Sequence, residues 1–90
     1  MTAILFEQTI PILRIFDVDK AKDFYAGFLG FNVDWEHRFE EGMPVYIQVS
    51  RGDLVLHLSE HHGDGTPGAV IFVRMRGVDD FHREVSAKNY

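Results

Sequence analysis

Two stretches of this chain repeat one design, and that repetition limits the possible fold more than any other feature. "IPILRIFDVDKAKDFYAGFLGF" starts at Ile10 and "VIFVRMRGVDDFHREVSAKNY" at Val70. Each reads as a strand, a short joint carrying Val-Asp, an amphipathic helix, and a left-handed stop residue followed by an aromatic. Ile10 corresponds to Val70, Arg14 to Arg74, Val18-Asp19 to Val78-Asp79, and Gly30-Phe31 to Asn89-Tyr90. In the first copy Asp17 is the N-cap, Val18, Ala21, Phe24, Tyr25, Phe28 and Leu29 recur at helical spacing, and Gly30 ends the helix. Behind it "FNVDWEHRF", "VYIQVS" and "LVLHLSE" alternate apolar and polar residues between the turns "EEGMP" and "RGD", which predicts a meander of three antiparallel strands. The second copy reaches Tyr90 with a strand over "AVIFVRM" and a helix over "VDDFHREVSAK" but no such meander. By the repeat, roughly thirty residues of sheet are lacking, because a repeat unit buries its apolar face only against its neighbours. The expected fold class is α+β: one truncated domain over residues 1–90, with a βαβββ module over about 8–60 and an incomplete second module (βα) over about 69–90.

At 90 residues the chain buries only roughly 60 to 65% of the surface it exposes when unfolded, so its stability margin is small. It contains no cysteine, which removes disulfides, thiolate catalysis and Cys-based zinc sites and suits a reducing, cytoplasmic setting. The N-terminal "MTAILFEQ" has no basic n-region of a signal peptide, and no apolar run is long enough to cross a bilayer. A net charge of −5 without a Lys/Arg stripe disfavours nucleic acid and tolerates a cationic small molecule. No nucleophile elbow, phosphate-binding glycine loop or acid/base carboxylate pair is visible, so the residues offer no obvious catalytic apparatus.

The module ending in "FYAGFLGFNVDWEHRF", followed by "VSRGDLVLHLSEHHGD" and "PGAVIFVRMRGVDDFHREV", resembles the glyoxalase/bleomycin-resistance/dioxygenase (vicinal oxygen chelate) superfamily, and within it the bleomycin-resistance-type proteins. The resemblance implies a cupped sheet built from two modules, with helices on the outer face and a ligand cavity on the inner face. It also implies a homodimer, with sites formed between modules or subunits and an exchange of modules or strands as one arrangement. In metal-dependent relatives the first and last strand of each module supply one ligand each. The matching positions here are Ile10, His57 and Val70, and the fourth would fall beyond Tyr90. Two of the three are aliphatic, whereas a divalent transition metal wants three or four N, O or S donors, so no metal and no cofactor is expected. The alternative is a divalent ion such as Zn, Ni or Fe held by His57 with help from His61, His62 or a partner chain.

Strand alternation assigns the remaining candidates. Leu54, Leu56 and Leu58 face the helix, which turns His57 into the cup as a hydrogen-bonding pocket residue, a satisfied structural histidine, or a catalytic group. His61 and His62 fall in a Gly/Asp-rich loop and read as solvated. Trp35, alternating with Val33 and His37, either stacks on a flat ligand, as the resemblance implies, or packs in a core or interface. Tyr46 and Gln48 share the face opposite Val45, Ile47 and Val49. Arg14 and Arg74 face the cup as symmetry mates, each suited to an ion pair or to anion recognition, and Phe72 reads as pocket wall. The expected ligand-binding set is thus Trp35, Tyr46, Gln48, His57, Phe72 and Arg14. The expected function is sequestration of a planar, cationic, bleomycin-like antibiotic without catalysis; the alternatives are a metal-dependent lyase or dioxygenase, and an assembly module without ligand.

Overall fold

The computed structural model describes residues 3–89. After an N-terminal segment without regular structure over 3–11, β1 (Ile12–Arg14) leads into a helix that starts as regular α1 (Val18–Lys22) and widens into a π-helical stretch over Asp23–Phe28. Asp17 starts it as expected: its backbone is extended and its carboxylate accepts the Lys20 N–H at 3.0 Å, satisfying one of the four orphan donors of the first turn. The helix ends where Gly30 turns left-handed and the Phe31 N–H reaches back to the Tyr25 carbonyl at 2.9 Å. There follow β2 (Asn32–His37), β3 (Tyr46–Arg51) and β4 (Leu54–Ser59), then α2 (Val78–Ser86).

The four strands form one sheet in the order β1-β4-β3-β2, the last three an antiparallel meander and β1 parallel to β4. The parallel pairing follows from the connection, because α1 and the meander carry the chain far enough to return β4 alongside β1 in the same sense. Val45, Ile47, Val49, Leu56 and Leu58 line one face, where they bury against Ile15, Ala21 and Phe31, with Leu13, Val18, Tyr25, Leu29 and Leu54 packed around them. Ile47 and Leu58 are wholly inaccessible, and each contributes about 1.5–3 kcal/mol by leaving water. Tyr46, Gln48, His57 and Ser59 are thereby displaced to the other face. The fold class is therefore α+β, a four-stranded open sheet with two helices.

The second copy of the repeat departs from expectation in two places. The stretch Val70–Met75 forms no strand and pairs with none, and Val70 and Phe72 are 92% and 87% exposed. A strand needs a partner's N–H and C=O groups, and among the described residues no sheet edge meets this one, so its backbone turns to water instead. The chain then enters α2 through Gly77. Asn89 is not left-handed, since no non-glycine residue among those described has a positive φ; α2 runs out through Ala87 in right-handed geometry, and Tyr90 lies outside the described residues. The helix is docked by charge: Arg51 forks onto Glu84 at 2.6 and 2.8 Å, and Lys88 caps the Gly27 and Phe28 carbonyls at the end of the first helix at 2.9 and 2.7 Å.

Candidate functional site

The polar face of the sheet is built in two rows. Register aligns Ile12, His57, Gln48 and Trp35 across the four strands, and beside them Arg14, Ser59, Tyr46 and His37. Four of the six expected site residues, Trp35, Tyr46, Gln48 and His57, therefore meet in one cluster. The Tyr46 ring stacks on Trp35 with centroids 6.0 Å apart and planes 14° from parallel, while the His57 ring stands edge-on to both, at 5.4 Å from Trp35 and 5.1 Å from Tyr46. Trp35 remains 42% exposed, which leaves much of its indole surface open to a further ring.

Trp35 reaches this cluster through a β-bulge, not by strict alternation. The register slips between Val33, which pairs with the core residue Val49, and Trp35, which pairs with Gln48. Val33 is thus on the opposite face from Trp35, contrary to the alternation expected for them. The bulge also turns Asp34 onto the site face, where its carboxylate accepts from Ser50 Oγ at 2.9 Å and from Gln48 Nε2 at 3.2 Å. Asp34 was not foreseen. A signal was nevertheless present: unbroken alternation would have driven three consecutive polar positions, Asn32, Asp34 and Glu36, toward the apolar core.

The hydrogen bonds fix the chemistry of the cluster. A carboxylate only accepts, so Gln48 gives Asp34 its amide nitrogen and shows its oxygen to His57 Nε2 at 2.9 Å. That oxygen also only accepts, which assigns the His57 proton to Nε2 and leaves Nδ1 to receive the Tyr46 hydroxyl at 2.8 Å. A single chain of donors runs from Tyr46 through His57 and Gln48 to Asp34. Burial pushes the His57 imidazole below its ordinary value, and burial, with the Asp64 carboxylate adding to it, pushes the Tyr46 phenol up. Both side chains are therefore held neutral around pH 7, poised neither to take nor to give a proton.

Arg14 lies on this face but two strands from Tyr46, with Ser59 between them. It forms none of the ion pairs found among the described residues, so the expected core ion pair is not made; its Nη1 donates to the His61 carbonyl and its guanidinium lies 4.6 Å above the Phe16 ring. Arg74 is exposed in the unpaired stretch, and Phe72, exposed beside it, is no pocket wall, because the strand meant to aim both into the cup has no sheet to hold it. His61 leans toward Tyr46 with ring centroids 6.4 Å apart, and His62 is exposed. Among the described residues no three His, Asp or Glu side chains converge as a metal would require. His57 fits a divalent ion poorly on its own terms, since both ring nitrogens are engaged and its lateral neighbours are Ile12 and Gln48.

A large cavity lies on the other side of the sheet. It measures about 880 Å³ and is lined by Leu13, Leu54 and Leu56 from the core face and by Ile71, Val73 and Phe81 from the second module. It marks where the unpaired stretch arches over the sheet without packing on it.

A sequence profile described as a glyoxalase superfamily protein matches residues 1–90, the whole chain. The chain belongs to the glyoxalase superfamily. Solved structures carry the same fold. SMU.1112c superposes with a TM-score of 0.63 at 21% identity, over 93% of this chain and 75% of its own. A glyoxalase/bleomycin resistance protein from Streptomyces sp. CB03234 does so with a TM-score of 0.63 at 24% identity, over 87% of this chain and 72% of its own. Among curated proteins none matches. At these identities the structural likeness speaks for the fold of this glyoxalase-superfamily chain. No helix among the described residues is long and apolar enough to cross a membrane.

Proposed function

We propose that this chain is a small-molecule binding protein of the bleomycin-resistance type, which holds a flat cationic guest on its polar sheet face without transforming it. The observation that carries this reading is the bulge that sets an open indole, Trp35, beside a carboxylate, Asp34. A planar cation would stack on Trp35 while its charge is met by Asp34, and cation–π contact adds about 0.5–2 kcal/mol as water is displaced. Tyr46, Gln48 and His57 form a neutral, mutually satisfied floor that suits recognition better than acid/base work. The chain's net charge of −5 favours such a guest at long range. We place the protein in the cytoplasm, in keeping with its lack of cysteine.

An open sheet makes only one wall of a groove, and the second wall is assigned to another copy of the chain. Ile4, Leu5, Phe6, Val70 and Phe72 are all exposed apolar residues on segments outside the sheet, the kind of surface that recruits a partner chain. Titrating bleomycin against the full chain while following the fluorescence of Trp35, its single tryptophan, tests the reading. A saturable change in the wild type that weakens in Asp34→Asn is expected. A folded protein whose emission stays flat to high micromolar ligand refutes it, and metal retained stoichiometrically through dialysis would favour a metal-dependent enzyme instead. Sedimentation at micromolar concentration should show a dimer; a folded monomer there removes the second wall.

A further inference from the structure

We propose that a second pocket, between the end of β1 and the loop over residues 61–68, binds a small oxyanion group such as a phosphate or carboxylate through the Arg14 guanidinium. The pocket has a volume of about 290 Å³ and is lined by Arg14, Phe16, His62, Gly63, Gly65, Thr66 and Pro67. It is separate from the Trp35 cluster. Ser59, fully buried, stands between Arg14 and Tyr46 in the register, and the loop is pinned over it by the His61 N–H at 3.0 Å and the Asp64 carboxylate at 2.9 Å.

Arg14 is half-buried, yet among the described residues it forms no ion pair with a carboxylate. Asp64, the acid of this loop, turns its carboxylate to Ser59 Oγ and acts on the Tyr46 phenol, away from the guanidinium. The guanidinium is nonetheless immobilised, by Nη1 on the His61 carbonyl and by its stacking over Phe16. Its Nε is sealed from solvent with no acceptor. A fixed guanidinium that lines a pocket and forms none of the ion pairs among the described residues is suited to recognising an oxyanion; the sealed Nε lies out of an anion's reach, so the contact falls to the outer nitrogens, with His62 at the rim. The pocket's shape is set by Gly65, whose φ of +69° lays the loop against β1. The net charge of −5 opposes an anion at long range, but salt screens that term beyond about 10 Å and leaves the local contacts to decide.

The test is an NMR titration of the full ¹⁵N-labelled chain with inorganic phosphate, and separately with acetate, at constant ionic strength against chloride. The sealed Nε makes the Arg14 Nε–H proton slow to exchange and therefore observable. Saturable shifts of that resonance and of the Gly63, Gly65 and Thr66 amides are expected for one or both probes, with chloride silent, and phosphate against acetate tells which oxyanion the pocket prefers. Trp35→Ala should titrate as the wild type does. Arg14→Lys should weaken binding at least about tenfold, because it keeps the charge and loses the fork. Should Arg14→Lys fail to fold, His62→Ala should still weaken binding relative to the wild type. Equal shifts with chloride, shifts that never saturate, or shifts confined to Tyr46 and His57 overturn the proposal.

Discussion

Substituting Gly65 by alanine probes the loop that shapes the polar face, and the structure fixes both parts of the expected cost. At φ +69° an L-residue loses about 1–2 kcal/mol to the clash of its own Cβ with the backbone. The added Cβ would also come within 2.8 Å of the Ile12 carbonyl oxygen and 3.2 Å of the Arg14 nitrogen. Both are backbone atoms of β1 and cannot swing aside as a side-chain tip would, so overpacking adds about 1–3 kcal/mol. Gly63 provides the control: it too is left-handed, at φ +93°, but nothing lies within 4 Å of the Cβ it would gain. Gly65→Ala should therefore lose about 2–5 kcal/mol and Gly63→Ala about 1–2 kcal/mol, read as urea midpoints at unchanged slope. Equal losses in the two variants would show that the loop does not rest on β1, and the preformed pocket beside Arg14 would go with it.

Three further outcomes follow from the same contacts. Because the folded state pushes the His57 imidazole down, the unfolded chain takes up its proton first as pH falls; the stability His57 confers is whole above its ordinary value of about 6.5 and is lost as pH drops through the folded one, so unfolding free energy from about pH 7.5 to 5.5 should fall less steeply in His57→Gln, and parallel curves would contradict this. Leu58→Ala empties a wholly buried site and should cost about 2–5 kcal/mol in urea unfolding, whereas Phe72→Ala should leave the monomer's stability within about 0.5 kcal/mol; a large loss at Phe72 would mean that the second module packs far more tightly than the structure has it. Asp34→Asn gives Gln48 a neighbour that can donate, frees its amide to turn over, and should convert the single Nε2–H tautomer of His57 into a mixture; ¹⁵N imidazole shifts read this directly, and an Nδ1–H tautomer in the wild type would refute the donor chain.

Much of the site was legible wherever a strand sits inside the sheet. Val45, Ile47 and Val49 against Leu56 and Leu58 leave Tyr46, Gln48 and His57 no face but the polar one, and the structure places them there. Legibility fails at the strand that slips and at the one that finds no partner. In β2 one extra residue reverses the parity, so Val33 and Trp35 part company and Asp34 enters the site, an event that alternation cannot register. In the stretch Val70–Met75 local propensity is strongly β, yet propensity does not supply an edge to pair with, and both Phe72 and Arg74 end in solvent. Arg14 is the intermediate case. Its face was readable from β1, but its partner was not, because the loop carbonyl that takes it lies 47 residues away.

The two edges of the sheet explain why the features of interest lie where they do. β2 and β1 are the outer strands, and each outer strand must be kept from pairing with stray chains. At β2 the bulge breaks the ladder, and the twist it introduces is what aims Trp35 and Asp34 onto one surface. At β1 the loop around Gly65 lies against Ile12 and Arg14, and the cavity it leaves is the one Arg14 lines. Edge protection and side-chain placement are thus one event at both margins. The stretch Val70–Val73 has neither device: four consecutive apolar residues, no proline, no bulge and no covering loop among the described residues. A segment of that composition gains by pairing, so among the described residues it is, with the exposed Ile4, Leu5 and Phe6, a point at which association with another chain should begin.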